Sequence, residues 1–116
     1  MKKVAIFVFN HEKMCFMHVL LYALELNKKN YEVKLIIEGM ATKTIKELYE
    51  DGKSHLAKKY LEVKEKNLIE GVCLACSKAT GSYEDLKKQN LKFLDELEGH
   101  PSLENYISQN YEIISF

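Results

Sequence analysis

VAIFVF (Val4–Phe9) is a continuous apolar run, rich in β-branched and aromatic residues, near the start of the chain. Such a run is typical of a central parallel strand that is covered on both faces. The next segment, Met14–Lys29, is apolar around most of its circumference and is predicted to form a buried helix. A second strand is predicted over Glu32–Ile37, followed by a turn at Gly39. The order strand, helix, strand is that of a right-handed parallel unit.

The same alternation continues to the end of the chain. Two helices are predicted next, one ending at Asp51-Gly52 and one beginning after Ser54. The remaining predicted elements are a short strand over Leu68–Val72, a helix over Glu84–Leu97, a short helix from Ser102 to about Gln109 and a last strand over Tyr111–Phe116. No linker, repeat or low-complexity segment interrupts them. The sequence therefore predicts a single domain over residues 1–116, an α/β protein built as a three-layer α/β/α sandwich with a mostly parallel sheet.

Composition excludes several functional classes. The chain carries 17 Lys and Arg against 17 Asp and Glu, so no basic surface favours nucleic acid. No apolar run approaches the roughly 18 residues needed to span a membrane. An odd number of cysteines, three, argues against a secreted disulfide framework, and we expect a reducing cytoplasmic location. The apolar first helix leads us to expect a homo-oligomer, either a dimer or a trimer.

Two cysteines follow the predicted strand Leu68–Val72 with the spacing C-x-x-C. Cys73 is expected at the start of a helix, where unpaired N–H groups and the helix dipole favour a thiolate. This position predicts a lowered pKa and a nucleophilic role, although free cysteine is also a common buried packing residue. Cys76, one turn later, could resolve a bond formed at Cys73, as in a redox dithiol.

Other residues offer alternatives at the same edge of the sheet, where the carboxyl ends of parallel strands meet. Cys15 and His18 could join Cys73 and Cys76 as zinc ligands, or they could be core residues. His100 could act as an acid or base near the thiol, or it could simply belong to a turn. The segment Glu38-Gly39 should also reach this edge. From these residues we select Cys73 and Cys76 as the catalytic candidates and assign no metal ligand and no cofactor.

The segment Val72-Cys73-Leu74-Ala75, with Gly81 after it, resembles the DsrE family of small cytoplasmic sulfur-relay proteins, which includes the TusD-type carriers. The similarity extends over the opening strand and first helix, the turn at 99–102 and the last strand. It implies a DsrE-like fold that assembles into oligomers and a sulfurtransferase-type activity, with a persulfide on Cys73 and sulfur donor and acceptor proteins as partners. Cys76 departs from the pattern, in which a small residue is expected.

A second hypothesis comes from a different class of protein. Some DsrE-like proteins have no known reaction. The chain could therefore be a non-enzymatic binding or structural module, with zinc or a redox dithiol at Cys73 and Cys76.

Overall fold

Five parallel strands form one sheet in the computed structural model, which describes residues 1–116. Their order across the sheet is β4-β3-β2-β1-β5, and every neighbouring pair is parallel. The strands are β1 (Lys3–Val8), β2 (Glu32–Ile37), β3 (Ile69–Cys73), β4 (Phe93–Leu94) and β5 (Glu112–Ser115). The prediction of an α/β protein with a parallel sheet is confirmed.

Six helices connect these strands. They are α1 (Lys13–Lys28), α2 (Ala41–Asp51), α3 (His55–Glu65), α4 (Leu74–Ala79), α5 (Tyr83–Lys88) and α6 (Leu103–Ile107). None of them is long and apolar enough to cross a membrane. Helices α4 and α5 follow each other directly between β3 and β4, so this crossover is made of two short helices.

Side chains of β1 alternate between the two faces of the sheet, as the pleat of a strand requires. Val4, Ile6 and Val8 belong to the larger core, to which helices α1, α2, α3 and α5 contribute. Ala5 and Phe7 belong to a smaller core on the other face, where Tyr106 of α6 packs. These three layers agree with the predicted α/β/α sandwich, although the layer that contains α6 is thin.

The predicted helix over Glu84–Leu97 is wrong. The helix ends at Lys88, and Asn90 takes a positive φ of 60° that a continuing helix does not allow. The chain then turns to place Phe93 and Leu94 beside Val72 and Cys73 as strand β4. The apolar residues whose spacing predicted one helix are thus divided between helix α5 and strand β4.

Helix α1 is buried on one side only, although the sequence predicted a mostly buried helix. Phe16, Val19, Leu20 and Ala23 lie in the core. The opposite side exposes the side chains of Met14, His18, Leu21 and Tyr22 to solvent. Helical spacing places these four residues in one stripe along the helix, which we call the α1 stripe.

Candidate functional site: the Cys73–His100 cluster

Cys73 is the last residue of β3 and the N-cap of α4, as the sequence predicted. Its extended backbone lets the sulfur turn back over the first turn of the helix. Cys73 Sγ accepts a hydrogen bond from the backbone N–H of Cys76, with 3.3 Å between nitrogen and sulfur. Ser77 Oγ donates a hydrogen bond of 2.6 Å to the carbonyl of Cys73, which fixes the backbone at the junction between β3 and α4.

A tight turn at residues 97–100 covers this junction. Leu97 and His100 exchange backbone hydrogen bonds of 2.7 and 2.8 Å, and Gly99, at a φ of 88°, lies between them. The carbonyl of Gly99 accepts from Ala75 N–H over 2.8 Å, which docks the turn on the start of α4. A side chain at Gly99 would approach Ala75 Cβ to 3.2 Å, so this close docking is suited to glycine.

The turn places the imidazole of His100 against both cysteines. His100 Nδ1 lies 3.0 Å from Cys73 Sγ and 3.8 Å from Cys76 Sγ. Either partner can be the donor in the shorter contact, depending on which ring nitrogen carries the proton. The sequence left open whether His100 acts near the thiol or belongs only to a turn. The structure places His100 in a turn and also within 3.0 Å of the Cys73 thiol.

Glu38 is the fourth member of the cluster. It follows β2 directly, and its ligand oxygen, the two thiols and the His100 ring nitrogen all lie within 4.8 Å of one another. The residue is only 8% exposed. Sequence analysis placed Glu38 at this edge of the sheet but gave it no role, because only the folded chain brings it against Cys73 and His100.

The prediction of a lowered pKa for Cys73 is contradicted. The pKa of the Cys73 thiol is raised to about 12, mainly by burial; the hydrogen bond from Cys76 N–H lowers it, and the neighbouring Cys76 thiol and Glu38 carboxylate raise it. Burial also raises the pKa of Glu38, while the nearby His100 lowers it. The effect of burial on the pKa of the Cys73 thiol therefore outweighs the effect of the N-terminus of α4, a helix only six residues long.

Cys15 and His18 do not join the cluster, so the set of four zinc ligands considered from the sequence is not brought together. His18 lies on the exposed side of α1, where its Nδ1 is 2.9 Å from the carbonyl of Met14. Cys15, which the sequence offered as a zinc ligand or a core residue, is half-buried. All three cysteines are free thiols.

A cleft of about 610 Å³ opens on the far side of His100. Its walls are mostly apolar, and Glu38 and His100 are the members of the cluster that reach it. The other lining residues are Phe7, Phe9, Leu97, Glu98, Pro101, Leu103, Ile113 and Ser115. Cys73 is 0% exposed, so its thiol is not open to bulk solvent.

Comparison with known proteins identifies relatives but no activity. An uncharacterized protein of Methanocaldococcus jannaschii, MJ0733, is 38% identical over 98 residues, which are 84% of this chain and 77% of that protein. An uncharacterized protein of Archaeoglobus fulgidus is 61% identical over 41 residues, or 35% of this chain and 67% of that protein. No family model and no solved structure matches the chain.

Proposed function

This chain belongs to the same protein family as MJ0733 of Methanocaldococcus jannaschii, and we propose that it is a small cytoplasmic sulfur-transfer protein that carries a persulfide on Cys73. The observation that carries the proposal is the 3.0 Å contact between Cys73 Sγ and His100 Nδ1. A thiol and an imidazole at hydrogen-bond distance form the arrangement that activates a cysteine nucleophile.

His100 supplies what the buried thiol lacks. The raised pKa of Cys73 means that the lone thiol keeps its proton at neutral pH. A neutral imidazole can accept that proton as the sulfur attacks, so a free thiolate need not build up beforehand. The Cys76 N–H that points at Cys73 Sγ then stabilises the negative charge on the sulfur.

The sulfur step needs no external oxidant or reductant. Cys73 sulfur attacks the outer sulfur of a donor persulfide, R–S–SH, and a new S–S bond forms as the donor S–S bond breaks. The electron pair of the broken bond leaves on R–S⁻, which takes the proton held by His100. Cys73–SH and R–S–SH thus become Cys73–S–SH and R–SH, and the total number of S–S bonds is unchanged.

Cys76 gives this site a second possible outcome. Its thiol can attack the inner sulfur of the Cys73 persulfide, which forms a Cys73–Cys76 disulfide and releases HS⁻. A pure sulfur carrier gains nothing from that step, whereas a protein that releases sulfide or senses persulfides needs it. The outer sulfur of the Cys73 persulfide is therefore either passed to a partner protein or released as sulfide when Cys76 forms the disulfide.

Four further features belong to the proposal. The likeness to the DsrE family at Val72–Ala75 supports sulfur relay as the chemistry, and the three free thiols favour the cytoplasm. The exposed α1 stripe supports a homo-oligomer. Cys73 is fully buried. The proposal therefore favours a small persulfide donor that enters beside His100, rather than a donor protein that binds through a broad surface.

Persulfide formation on defined variants tests the assignment. The reduced protein is incubated with a low-molecular-weight persulfide and weighed intact by mass spectrometry. We expect one added sulfur on the wild type, none on Cys73→Ser, and a longer-lived adduct on Cys76→Ser. Cys15→Ser is the matched control, because it removes a thiol outside the cluster and should behave like the wild type. If Cys73→Ser still gains the sulfur, the assignment to Cys73 is wrong.

A non-enzymatic module is the second candidate, and the zero exposure of Cys73 favours it. In that case Cys73 is a packing residue or a ligand. Titration of native thiols near neutral pH separates the two functions. Selective modification of Cys73, suppressed in His100→Asn, supports sulfur transfer, whereas a Cys73 that stays unmodified until the protein unfolds supports the module.

A further inference from the structure

We infer that Glu38, Cys73, Cys76 and His100 form a binding site for a zinc-like divalent cation. This ligand set differs from the one considered from sequence, since Glu38 and His100 take the places of Cys15 and His18. The inference does not depend on sulfur transfer. It rests on the geometry of the four side chains, on their chemistry and on the buried carboxylate of Glu38.

The spacing of the four ligand atoms suits one tetrahedral ion. Typical Zn–S and Zn–N bond lengths place neighbouring ligand atoms about 3.3 to 3.8 Å apart around zinc. His100 Nδ1 lies 3.0 Å from one sulfur and 3.8 Å from the other, and the whole group fits within 4.8 Å. These separations are close to the spacing that a tetrahedral zinc ion requires.

The donor types also match. Two thiolates, an imidazole and a carboxylate are all ligands of zinc, which is a borderline-soft ion. Purely hard cations such as Mg²⁺ and Ca²⁺ prefer oxygen ligands and find only one side chain of that kind here. The four residues come from the end of β2, the end of β3, the first turn of α4 and the turn at 97–100, so an ion would tie four separate segments together.

Glu38 gives an independent indication of a cation. Glu38 is only 8% exposed, at the edge of the cleft beside His100, and its carboxylate takes part in none of the protein's ion pairs. A buried carboxylate normally has a cationic partner or binds a metal. No lysine reaches Glu38, and its ligand oxygen instead faces the two sulfurs and the imidazole.

The surroundings of the ligands support binding as well. The Cys76 N–H that donates to Cys73 Sγ would continue to do so when that sulfur holds a metal. Hydrogen bonds of this kind orient metal ligands and increase affinity. The bonds from Ser77 Oγ to the carbonyl of Cys73 and from Ala75 N–H to Gly99 fix the positions of the backbone around the site.

Metal binding has one consequence for sulfur transfer. Both thiols release their protons when zinc binds, and the ion then occupies the lone pairs with which Cys73 would attack a persulfide. Zinc and sulfane sulfur should therefore exclude each other at Cys73. A zinc-bound chain is expected to resist persulfide formation until a chelator removes the ion.

The test is metal binding by the reduced chain of residues 1–116. Co²⁺ is used as a spectroscopic probe and Zn²⁺ is measured by competition with a chromophoric chelator. We expect one ion per chain and, with Co²⁺, thiolate charge-transfer absorption together with tetrahedral visible bands. Cys73→Ser, Cys76→Ser and His100→Gln should each weaken Zn²⁺ binding by at least about tenfold, since even supporting residues of metal sites contribute that much.

Two further variants complete the test. Cys15→Ser keeps the cluster intact and should bind as the wild type does. Glu38→Gln keeps both thiols and the imidazole but should weaken binding, and Glu38→Asp should restore part of it. Circular dichroism confirms that each variant is folded.

Unchanged Zn²⁺ binding in the Cys73→Ser/Cys76→Ser double variant would overturn the inference. So would a wild-type chain that binds far less than one ion per chain. If a persulfide forms but zinc does not bind, only the metal site is wrong. If zinc binds and the metal-free chain gains no sulfur, only the proposed function is wrong.

Discussion

Gly71 is the residue that allows strand β4 to approach strand β3 beside the Cys73–His100 cluster. It lies in β3, two positions before Cys73, and a Cβ at this position would lie 2.7 Å from the carbonyl oxygen of Lys92 and 2.8 Å from Leu94 Cγ. The Lys92 carbonyl cannot easily move away, because it accepts a 2.8 Å hydrogen bond from Val72 N–H. Glycine therefore allows β4 to lie against β3 beside Cys73.

The substitution Gly71→Ala is predicted to destabilise the fold. Overpacking of this kind costs about 1 to 3 kcal/mol, and each kcal/mol lowers the melting temperature of a domain of this size by about 4 °C. Thermal unfolding followed by circular dichroism measures the effect. Gly81→Ala is the comparison, because an added Cβ there meets no neighbour and the φ of 72° adds only backbone strain. Equal melting temperatures for Gly71→Ala and the wild type would contradict the steric argument.

Cys73 also shows which residue properties a sequence can reveal. Its place between a strand and a helix follows from local pattern, because the apolar run Leu68–Val72 and the small residues after Cys73 are adjacent in the chain. Its pKa and its partners depend on Glu38 and His100, which are distant in sequence and meet it only through the sheet and the turn at 97–100. Burial, which dominates the pKa, is likewise a property of the folded chain.

At the scale of elements, a buried hydrogen bond joins the helices on the larger face of the sheet. Tyr60 of α3 donates to Gln89 Oε1 over 2.7 Å, and both residues are buried. Gln89 Nε2 donates in turn to the carbonyl of Ile45 in α2 over 3.4 Å. Gln89 is the C-cap of α5, so this side chain fixes the end of α5 against α2 and α3.

Tyr60→Phe is predicted to lower the free energy of unfolding by about 1 to 3 kcal/mol, because it leaves a buried acceptor without its donor. Urea unfolding measures the change. The double variant Tyr60→Phe/Gln89→Leu removes both partners and should lose less than the sum of the two single variants. Strictly additive losses would show that the Tyr60–Gln89 bond contributes no coupling.

The same junction explains why the helix over Glu84–Leu97 was wrongly predicted. Leu86, Leu91 and Leu94 have helical spacing, and no proline or glycine interrupts the segment. The helix stops because Gln89 is held by Tyr60, Asn90 adopts a positive φ and Phe93-Leu94 completes the sheet at β3. These are tertiary interactions, which override a local helical pattern. In contrast, β1, β2 and α1 have long, uninterrupted apolar patterns and were predicted within one or two residues.

At the scale of the whole molecule, topology brings the cluster together. All strands are parallel, so the carboxyl ends of β2 and β3 open on the same edge and place Glu38 beside Cys73. The connection from β4 to α6 supplies His100 at that edge. The α1 stripe lies on the solvent-facing side of α1, whose opposite side packs into the larger core.

A homo-oligomer formed through the α1 stripe is the last prediction. A twofold contact needs only one self-complementary patch, and the stripe offers Met14, Leu21 and Tyr22 without a charged residue among them. Light scattering after size exclusion should show a dimer or trimer at high micromolar concentration. Tyr22→Glu should dissociate it, because a carboxylate would be desolvated at the contact. Tyr49→Glu on α2 is the matched control, since Tyr49 is 45% exposed and Tyr22 is 44% exposed. A monomeric wild type, or equal dissociation by both variants, would contradict an interface on α1.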